Sequence, residues 1–380
     1  MKKLRFGIVG MGVQGKLYAA LLTGQPLPGG DAAPLPANCQ LTAVSSRSPE
    51  TAELAKAMGV AYFADWKALV QSDICDAIII TVPHYLHHEI AIYALQQGKH
   101  VLCEKPADIR ASDVKEMLAA RGDRVMAMIL NQRTNPVFRK LKEIIDGGEL
   151  GQLRRSNWII NSWWRPDSYY QSNVWRGTWG GEGGGVVVNQ LPHQLDLWMQ
   201  LSGVPEQVYC LAKEGAWRDI PVENDVTITV KYPGGATGVL ISSTHDPMGT
   251  DRLELCFDKG KILVENSKKA TIYHFKKSEQ EWNETVPAGA LERIPAEERD
   301  TVEEFQMERH FSAAYIEIFE NFADHIHTGA PLIATAEDGL RQVQLANAIQ
   351  LSGWKDQPVP MPCSTEEFNT GLQAKIDAEK

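Results

Sequence analysis

The stretch "GIVGMGVQGKLYAAL", residues 7–21, decides the fold of the first part of this chain. Three glycines lie between a short apolar strand and the start of a helical segment. In such a turn the first glycine allows a tight bend, the second lets a pyrophosphate approach the backbone, and the third lets the helix pack on the strand. We predict a dinucleotide-binding turn, with an incidental glycine-rich turn as the alternative. Its expected cofactor contacts are Gly10, Gly12, Val13, Gln14 and Gly15.

The segments that follow repeat the order of strand and helix. "LTAVSS", "AIIITV" and "KHVLCE" are short runs rich in Val and Ile, each followed by a helix-like segment, and "RVMAMILNQR" is typical of one more strand. Apolar strands that alternate with helices predict a parallel sheet covered by helices on both faces. We therefore predict an α/β fold with a doubly wound Rossmann domain over residues 1–131.

The end of the second predicted strand, "AVSSRSPE" (residues 43–50), bears on the choice of cofactor. An acidic residue at this position typically binds the ribose hydroxyls of NAD, whereas a basic residue receives the 2′-phosphate of NADP. Ser46 and Arg47 stand here without an acid. The pattern therefore favours NADP over NAD, unless Arg47 stacks on the adenine or points into water.

The second part of the chain has a different pattern. "VTITVKYPGGATGVLISS" and "DRLELCFDKGKILVEN" alternate polar and apolar residues around glycine-containing turns. This alternation predicts an open, mostly antiparallel sheet with one buried face. We expect residues 132–363 to form an α+β domain for substrate binding and oligomerisation, and residues 364–380 to form a polar, loosely held tail. Two domains suit 380 residues, because single cores stop growing near roughly 250–300 residues.

The composition indicates which kinds of partner the protein can bind and which cellular compartment suits it. The formal net charge is −10, and the 38 Lys and Arg form no basic stripe suited to a nucleic acid backbone. Arg5 and Lys16 interrupt the apolar N-terminal stretch, which argues against a signal peptide, and no apolar run reaches the roughly 18–20 residues that cross a bilayer. Six dispersed cysteines favour reduced thiols. We expect a cytoplasmic protein that binds a small molecule.

Three further motifs resemble those of one enzyme family. They are "TVPHYLHHE" (81–89), "GKHVLCEKP" (98–106) and "GGGVVVNQLPHQLD" (183–196). Together with the glycine turn, they resemble the Gfo/Idh/MocA oxidoreductases over essentially the whole chain. The resemblance implies a nicotinamide cofactor, a sugar or polyol substrate, and a homo-oligomer, dimeric or tetrameric, that associates through the open face of the second sheet.

The resemblance also assigns roles to particular residues. Lys105 matches the lysine of the family's E-K-P motif, and His193 matches the histidine of its H-x-x-D motif. Asn189 stands where many members have an Asp, so a mechanism that needs a carboxylate there is in doubt. His84 stands where a common family pattern has Asn. The residues expected to contact the cofactor beyond the glycine turn are Ser46, Arg47, Pro83, His84, His87, Glu104 and Lys105.

These residue types fit the removal of a hydride from a secondary alcohol. A histidine near its reference pKa of about 6.5 is well suited to accept the hydroxyl proton, which makes His193 the expected base. Lys105 would stabilise the developing alkoxide, and Asn189 would hold the hydroxyl or the lysine. The alternative for His193 is a structural pairing with Asp196, because a single helix over 189–196 would stack Asn189, His193 and Asp196 on one face.

The segment "NWIINSWWRPDSYYQSNVWRGTWGG" contains five of the ten tryptophans. Aromatic rings suit the apolar face of a pyranose, and guanidinium groups suit its hydroxyls. An oligomer interface or a sheet core is an equal alternative for any single residue. The expected substrate contacts are Arg133, Trp163, Tyr169, Trp175, Arg176, Asn189 and His193.

The expected function is an NAD(P)-dependent oxidoreductase that interconverts a secondary alcohol and a ketone on a sugar, glycoside or cyclic polyol. One rival is a redox-neutral glycoside-cleaving enzyme that keeps its NAD bound. Another is a dinucleotide-binding regulator without turnover. No metal is expected, because His84, His87 and His88 lack Cys or acidic partners at ligand spacing beyond Glu89.

Overall fold

The computed structural model describes residues 2–26, 34–287, 289, 299–308 and 311–379. The chain forms two compact units, each assembled from separate stretches of sequence. Unit 1 comprises Met1–Thr134, Gly181–Gly183 and His310–Gln344. Unit 2 comprises Asn135–Gly180, Gly184–Arg309 and Leu345–Lys380.

Unit 1 contains a six-stranded parallel sheet in the order β3-β2-β1-β4-β5-β6. Its strands are β1 (Leu4–Val9), β2 (Cys39–Ser45), β3 (Ala61–Phe63), β4 (Ala77–Ile80), β5 (His100–Cys103) and β6 (Met126–Met128). Its first five helices are α1 (Val13–Thr23), α2 (Glu50–Met58), α3 (Trp66–Gln71), α4 (His87–Gln96) and α5 (Ala111–Ala120). This order is that of a doubly wound dinucleotide-binding sheet, so the predicted Rossmann fold is confirmed.

Unit 2 is built on a nine-stranded sheet in the order β14-β13-β12-β11-β7-β10-β9-β8-β15. Every pair is antiparallel except β10 with β7. The strands are β7 (Leu153–Ile160), β8 (Gln207–Glu214), β9 (Glu223–Lys231), β10 (Thr237–Ser243), β11 (Asp251–Phe257), β12 (Gly260–Glu265), β13 (Lys269–Phe275), β14 (Arg299–Gln306) and β15 (Val359–Pro360). The helix before the first of these strands is α6 (Pro136–Asp146), and those between them are α7 (Asp167–Tyr170), α8 (Val186–Asn189), α9 (Pro192–Ser202) and α10 (Glu279–Thr285).

One face of the nine-stranded sheet is buried and the other is open. On β9, Val226, Ile228 and Val230 are buried, whereas Thr227 and Thr229 between them reach solvent. The period of two along a strand places these two sets on opposite faces. The predicted mostly antiparallel sheet with one buried face is therefore confirmed.

The last part of the chain differs from the prediction. It forms α11 (Phe311–Thr328), α12 (Ala336–Lys355) and α13 (Thr365–Ala378). Phe319 and Phe322 of α11 pack in one core with Phe6 of β1, which explains why residues 310–344 belong to unit 1 and not to the second domain.

The expectation of a loosely held tail over 364–380 is wrong for its described residues. The side chain of Ser364 caps α13, and Phe368 and Leu372 are buried at a helical spacing of four. Trp354 of α12 stacks on Phe368 with ring centroids 5.4 Å apart. Within the described ranges, the helices are all too short or too polar to cross a membrane.

Candidate active site

The glycine turn after β1 has the geometry that a phosphate-binding turn requires. Gly10 has a φ of +100°, and a Cβ there would lie 2.8 Å from the carbonyl oxygen of Thr81. A Cβ on Gly15 would lie 2.0 Å from the carbonyl oxygen of Gly10. Both positions therefore need glycine for the fold itself.

Gly12 is different, because a Cβ there would meet no protein atom within 4 Å. It immediately precedes α1, and the next side chain, Val13, is 85% exposed. The open backbone at a helix N-terminus fits the pyrophosphate of a dinucleotide. The contacts predicted for Val13 and Gln14 remain predictions.

The end of β2 places a basic side chain in solvent. Ser45 is buried, and Ser46 is half-buried. The Oγ of Ser46 accepts a hydrogen bond from the backbone N–H of Ser48 at 3.1 Å. Arg47 is exposed, and within the described part of the chain its guanidinium forms no ion pair. A 2′-phosphate would meet this charge without displacing a carboxylate.

The Glu104–Lys105 pair follows β5 and rests on a buried hydrogen-bond network. Oε1 of Glu104 accepts from the hydroxyl of Tyr18, and Oε2 accepts from the backbone N–H of Lys105 at 2.9 Å. Burial raises the pKa of the Glu104 carboxyl, and the neighbouring lysine opposes this effect. The Lys105–Pro106 peptide bond is cis, an outcome that the Pro in this motif made possible.

The ring nitrogens of the two histidines after β4 lie within hydrogen-bonding distance of backbone carbonyl oxygens. His87 is fully buried, with Nδ1 2.9 Å from the carbonyl oxygen of Pro106 and Nε2 2.9 Å from that of Val82. Burial lowers its pKa. The ring is enclosed and links two loops, and the predicted cofactor contact of His87 stays a prediction. His84 is also buried, with Nδ1 3.0 Å from the carbonyl oxygen of Glu182, and Pro83 before it is half-buried.

Arg133 is one of the substrate contacts that the sequence predicts. In the structure its guanidinium donates to Asp338 at 2.8 Å and to the carbonyl oxygen of Ile333 at 2.9 Å. The ion pair lies in a largely buried environment and lowers the pKa of the Asp338 carboxyl against the opposing effect of burial. The predicted substrate contact of Arg133 stays a prediction.

In unit 2, Asn189 and His193 belong to different helices. Asn189 ends α8, and α9 begins at Pro192, which has no backbone N–H to continue the helical ladder. Asp196 is buried, whereas Asn189 and His193 are half-buried. The expectation that one helix stacks Asn189, His193 and Asp196 on a single face is therefore wrong.

The phenol oxygen of Tyr169 is a shared acceptor for three side chains of unit 2. Nη1 of Arg176 donates to it at 2.6 Å, Nδ2 of Asn189 at 3.0 Å and Nε2 of Gln190 at 3.4 Å. We call these four residues the Tyr169 cluster. Sequence reasoning placed three of them at the site and missed Gln190, although it directly follows Asn189 in the quoted motif.

Aromatic and guanidinium groups surround the same ring. The guanidinium of Arg176 lies 4.5 Å from the Tyr169 ring centroid and 4.7 Å from that of Trp175. The guanidinium of Arg165 lies 4.8 Å from the Tyr169 ring centroid. Aromatic rings and guanidinium donors therefore lie side by side here, a combination that suits a hydroxylated ring.

The remaining tryptophans of this segment divide between core and surface. Trp158 and Trp179 are buried, and their indole N–H groups donate to Asp251 and to the carbonyl oxygen of Pro221, both at 3.0 Å. Trp158 lies on β7, which agrees with the sheet-core alternative, whereas Trp179 packs against Trp354 of α12 with ring centroids 5.5 Å apart. Trp163 is half-buried and Trp164 is 46% exposed.

Comparisons with known proteins agree with this architecture. The description "Oxidoreductase family, NAD-binding Rossmann fold" matches residues 4–129, and "GFO/IDH/MocA C-terminal domain" matches residues 138–263. Together these matches cover well over half of the chain.

Individual relatives align over nearly the whole chain. Inositol 2-dehydrogenase of Rhizobium meliloti is 25% identical over 356 residues, which cover 91% of this chain and 95% of that protein. The structure of a levoglucosan dehydrogenase in complex with NADH and levoglucosan has a TM-score of 0.78 at 20% identity and covers 95% of this chain and 100% of that one. The WlbA dehydrogenase of Bordetella pertussis, in complex with NADH and UDP-GlcNAcA, has a TM-score of 0.76 at 23% identity, with coverages of 96% and 100%.

The family matches confirm the resemblance that the motifs indicated, and with it the nicotinamide cofactor. The structural matches share the two-part fold. This chain therefore belongs to the GFO/IDH/MocA family of oxidoreductases, with an NAD-binding Rossmann domain followed by the family's C-terminal domain.

Proposed function

We propose that this protein is an NAD(P)-dependent dehydrogenase that interconverts a secondary alcohol and a ketone on a sugar, glycoside or cyclic polyol. The Tyr169 cluster carries this proposal, because it gathers amide and guanidinium donors beside aromatic rings. Hydroxyl groups and the C–H face of a sugar or polyol ring are the chemistry that such a surface binds. The names of the inositol and levoglucosan relatives support the same substrate class.

The residue roles follow from the chemistry of alcohol oxidation. When bound, the nicotinamide cofactor would supply the acceptor for the hydride that leaves the carbinol carbon. His193 is the proposed general base that takes the hydroxyl proton. Lys105 is proposed to stabilise the negative charge that develops on the oxygen. Asn189 is proposed to hold the hydroxyl through its side-chain amide, whose Nδ2 is anchored on Tyr169.

For the cofactor we propose NADP over NAD, on the basis of the exposed Arg47 at the end of β2. We also propose that the protein forms a homo-oligomer through the open face of the nine-stranded sheet. Ile159 and Leu211 are exposed large apolar side chains on that sheet. A cytoplasmic location is supported by the six cysteines, all of which are described and carry free thiols.

A screen by nicotinamide absorbance tests the proposal. The purified protein is incubated with NAD⁺ or NADP⁺ and with myo-inositol, scyllo-inositol, levoglucosan, glucose and aryl glycosides. We expect one or more of these compounds to give a steady increase in reduced nicotinamide, faster with NADP⁺. Release of aglycone without accumulation of reduced nicotinamide would replace the proposal by redox-neutral glycoside cleavage. Cofactor binding without any turnover across the panel would overturn it.

A further inference from the structure

Glu223 is a buried carboxyl at the head of β9 in unit 2. Its side chain is 2% exposed, and Oε1 accepts hydrogen bonds from the backbone N–H groups of Gly185 at 3.0 Å and Val187 at 3.3 Å. Burial raises the pKa of this carboxyl to about 7, and the two backbone hydrogen bonds oppose that rise. Burying a carboxyl in this environment lowers the free energy of unfolding unless its hydrogen bonds offset the cost. We therefore expect the function of Glu223 to lie in the contacts that it makes.

The glycines of the quoted motif allow the chain to close on Glu223. A Cβ on Gly185 would lie 1.8 Å from the carbonyl oxygen of Glu223. Gly184 has a φ of +143°, and a Cβ there would lie 3.2 Å from Oε1 of Glu223 and 2.2 Å from Nε2 of Gln350. Side chains at either position would push the turn away from the carboxyl. The Gly-Gly pair therefore explains the approach, and Glu223 supplies the hydrogen bonds that hold it.

The turn gripped by Glu223 leads directly to Asn189. The backbone N–H groups of Val188 and Asn189 both donate to the carbonyl oxygen of Gly185, at 3.2 and 3.0 Å. The N–H of Leu191 donates to the carbonyl oxygen of Val186 at 2.9 Å, just before α9 begins. Since α8 is a single turn, the place of Gly185 determines the place of Asn189.

In the described part of the chain, the hydrogen-bond donors to the Glu223 carboxyl are backbone N–H groups, chiefly those of Gly185 and Val187. A small cavity beside it is lined by Val187, Cys210, Glu214, Gln350 and Trp354, among others. The ionisable groups there are the thiol of Cys210 and the carboxylate of Glu214, and Glu214 pairs with Lys375. No cation pairs with Glu223 among these neighbours, so a neutral side chain of the same shape can replace it.

We propose that Glu223 is a positioning residue whose carboxylate fixes the turn from Gly185 to Val187, and through that turn fixes the amide of Asn189 for its role in the reaction. The effect on turnover rests on the proposed dehydrogenase function. The structural half of the proposal, the grip on the turn, does not depend on it. Glu223 touches no reacting atom in this scheme and acts through Asn189.

Three substitutions separate positioning from general support of the fold. Glu223→Gln keeps an acceptor oxygen at the same reach, whereas Glu223→Leu removes it at similar volume. Val230→Ala weakens the buried face of the same strand away from the turn and serves as the control. If Glu223→Leu does not fold, Glu223→Asp, whose shorter side chain withdraws the oxygen from the turn, carries the same expectation.

Hydrogen–deuterium exchange of peptides covering 183–191 tests the grip without any substrate. We expect at least tenfold faster exchange in Glu223→Leu, and near wild-type exchange in Glu223→Gln and Val230→Ala. Unchanged exchange in Glu223→Leu overturns the proposal, whatever the enzyme turns over.

Kinetics with myo-inositol or levoglucosan, whichever the screen finds active, tests the consequence. We expect kcat to fall about 10- to 100-fold in Glu223→Leu, with nicotinamide binding unchanged and kcat of Glu223→Gln within about threefold of wild type. In an Asn189→Ala background the same Glu223→Leu change should cost less than threefold. Full additivity of the two changes, or a fall in Glu223→Gln equal to that in Glu223→Leu, would remove Asn189 as the route of the effect.

Discussion

The side-chain amide of Asn189 donates from Nδ2 to the phenol oxygen of Tyr169 at 3.0 Å. Because the amide nitrogen is anchored in this way, its oxygen is turned away from Tyr169. The family resemblance implies an aspartate at this position in many members, and an aspartate would carry a negative charge that the asparagine lacks. The departure from that pattern therefore changes the charge at the site but keeps a side-chain oxygen of the same reach.

Replacing Tyr169 by Phe should disorganise this cluster. The substitution removes the acceptor shared by Arg176, Asn189 and Gln190 and leaves the ring in place. We expect kcat/KM for the sugar to fall roughly 10- to 100-fold, since the loss of acceptors to partly buried donors costs about 1–3 kcal/mol. Tyr170→Phe is the control, because that hydroxyl contacts Thr244 instead at 2.9 Å. Equal losses in the two variants would contradict a specific role for Tyr169.

His193→Ala should abolish most of the turnover. Without the imidazole no side chain at that position takes the hydroxyl proton, and we expect kcat to fall by roughly two to four orders of magnitude. Nicotinamide binding, measured by fluorescence titration, should stay unchanged. His274→Ala on β13 is the matched histidine control. A wild-type kcat in His193→Ala would remove this residue from the mechanism.

Arg47→Ala should change the choice of cofactor. We expect the Kd for NADP⁺ to rise about 10- to 100-fold, the range expected when a hydrogen bond to a charged group is lost. The Kd for NAD⁺ should stay within about twofold, because NAD has no 2′-phosphate. Lys56→Ala, which removes a basic residue from α2, is the control. An equal rise in Kd for both cofactors would show that Arg47 does not bind the 2′-phosphate.

Glu223 should make stability depend on pH. Its folded pKa of about 7 lies above the reference value of 4.5, so between these values the folded state binds more protons than the unfolded state. The free energy of unfolding contributed by this group is therefore highest below pH 4.5, falls as the pH rises, and levels off above pH 7. The total change is about 3 kcal/mol, from 1.36 kcal/mol for each pKa unit.

Urea unfolding of wild type and Glu223→Gln at pH 5 and pH 8 measures this contribution. The wild type should lose stability relative to Glu223→Gln as the pH rises, because the glutamine cannot ionise. The ionisable neighbours Cys210 and Glu214 are present in both proteins and cancel in the comparison. Parallel pH profiles for the two proteins would show that Glu223 does not titrate in this window.

Glu379→Ala should loosen the end of the aromatic segment. The Glu379 carboxylate, which follows α13, accepts hydrogen bonds from the backbone N–H of Trp179 and, at 2.9 Å, from that of Gly180. We expect a loss of about 1–2 kcal/mol in the free energy of unfolding, measured by urea titration. Glu366→Ala, in the first turn of the same helix, should cost only about 0.3–1 kcal/mol. A Glu379→Ala effect no larger than that of Glu366→Ala would mean that the contact adds little.

The Rossmann half of the fold was predictable because its signals are local. Gly10, Gly12 and Gly15 lie within six residues of one another, and their spacing after a strand is the signal of a dinucleotide-binding turn. The buried strands read as continuous apolar runs, as expected when both faces of a sheet are covered. The E-K-P motif at the end of β5 was found in the same way.

Other features of the structure depend on contacts between residues that are distant in the sequence. The polar α13 looked like a loose tail, since its two buried apolar side chains, Phe368 and Leu372, are few among polar neighbours. The enclosure of the His87 ring between Val82 and Pro106 depends on such contacts and is not evident from the sequence. The role of Glu223 is not evident from the sequence, because an acidic residue at the start of a strand is common and its contact with Gly185 forms only in the folded chain.

By itself, the sequence determined the dinucleotide-binding turn, the two sheet types and the family, because each depends on residue spacing within one or two elements. Only the tertiary structure decided which polar groups meet. Tyr169 gathers Arg176, Asn189 and Gln190 from different parts of the chain, and Glu223 reaches back 38 residues to Gly185. A side-chain hydrogen bond requires its two atoms to lie about 3 Å apart in space, however far apart the residues are in the sequence. The sequence alone therefore does not show which polar groups pair.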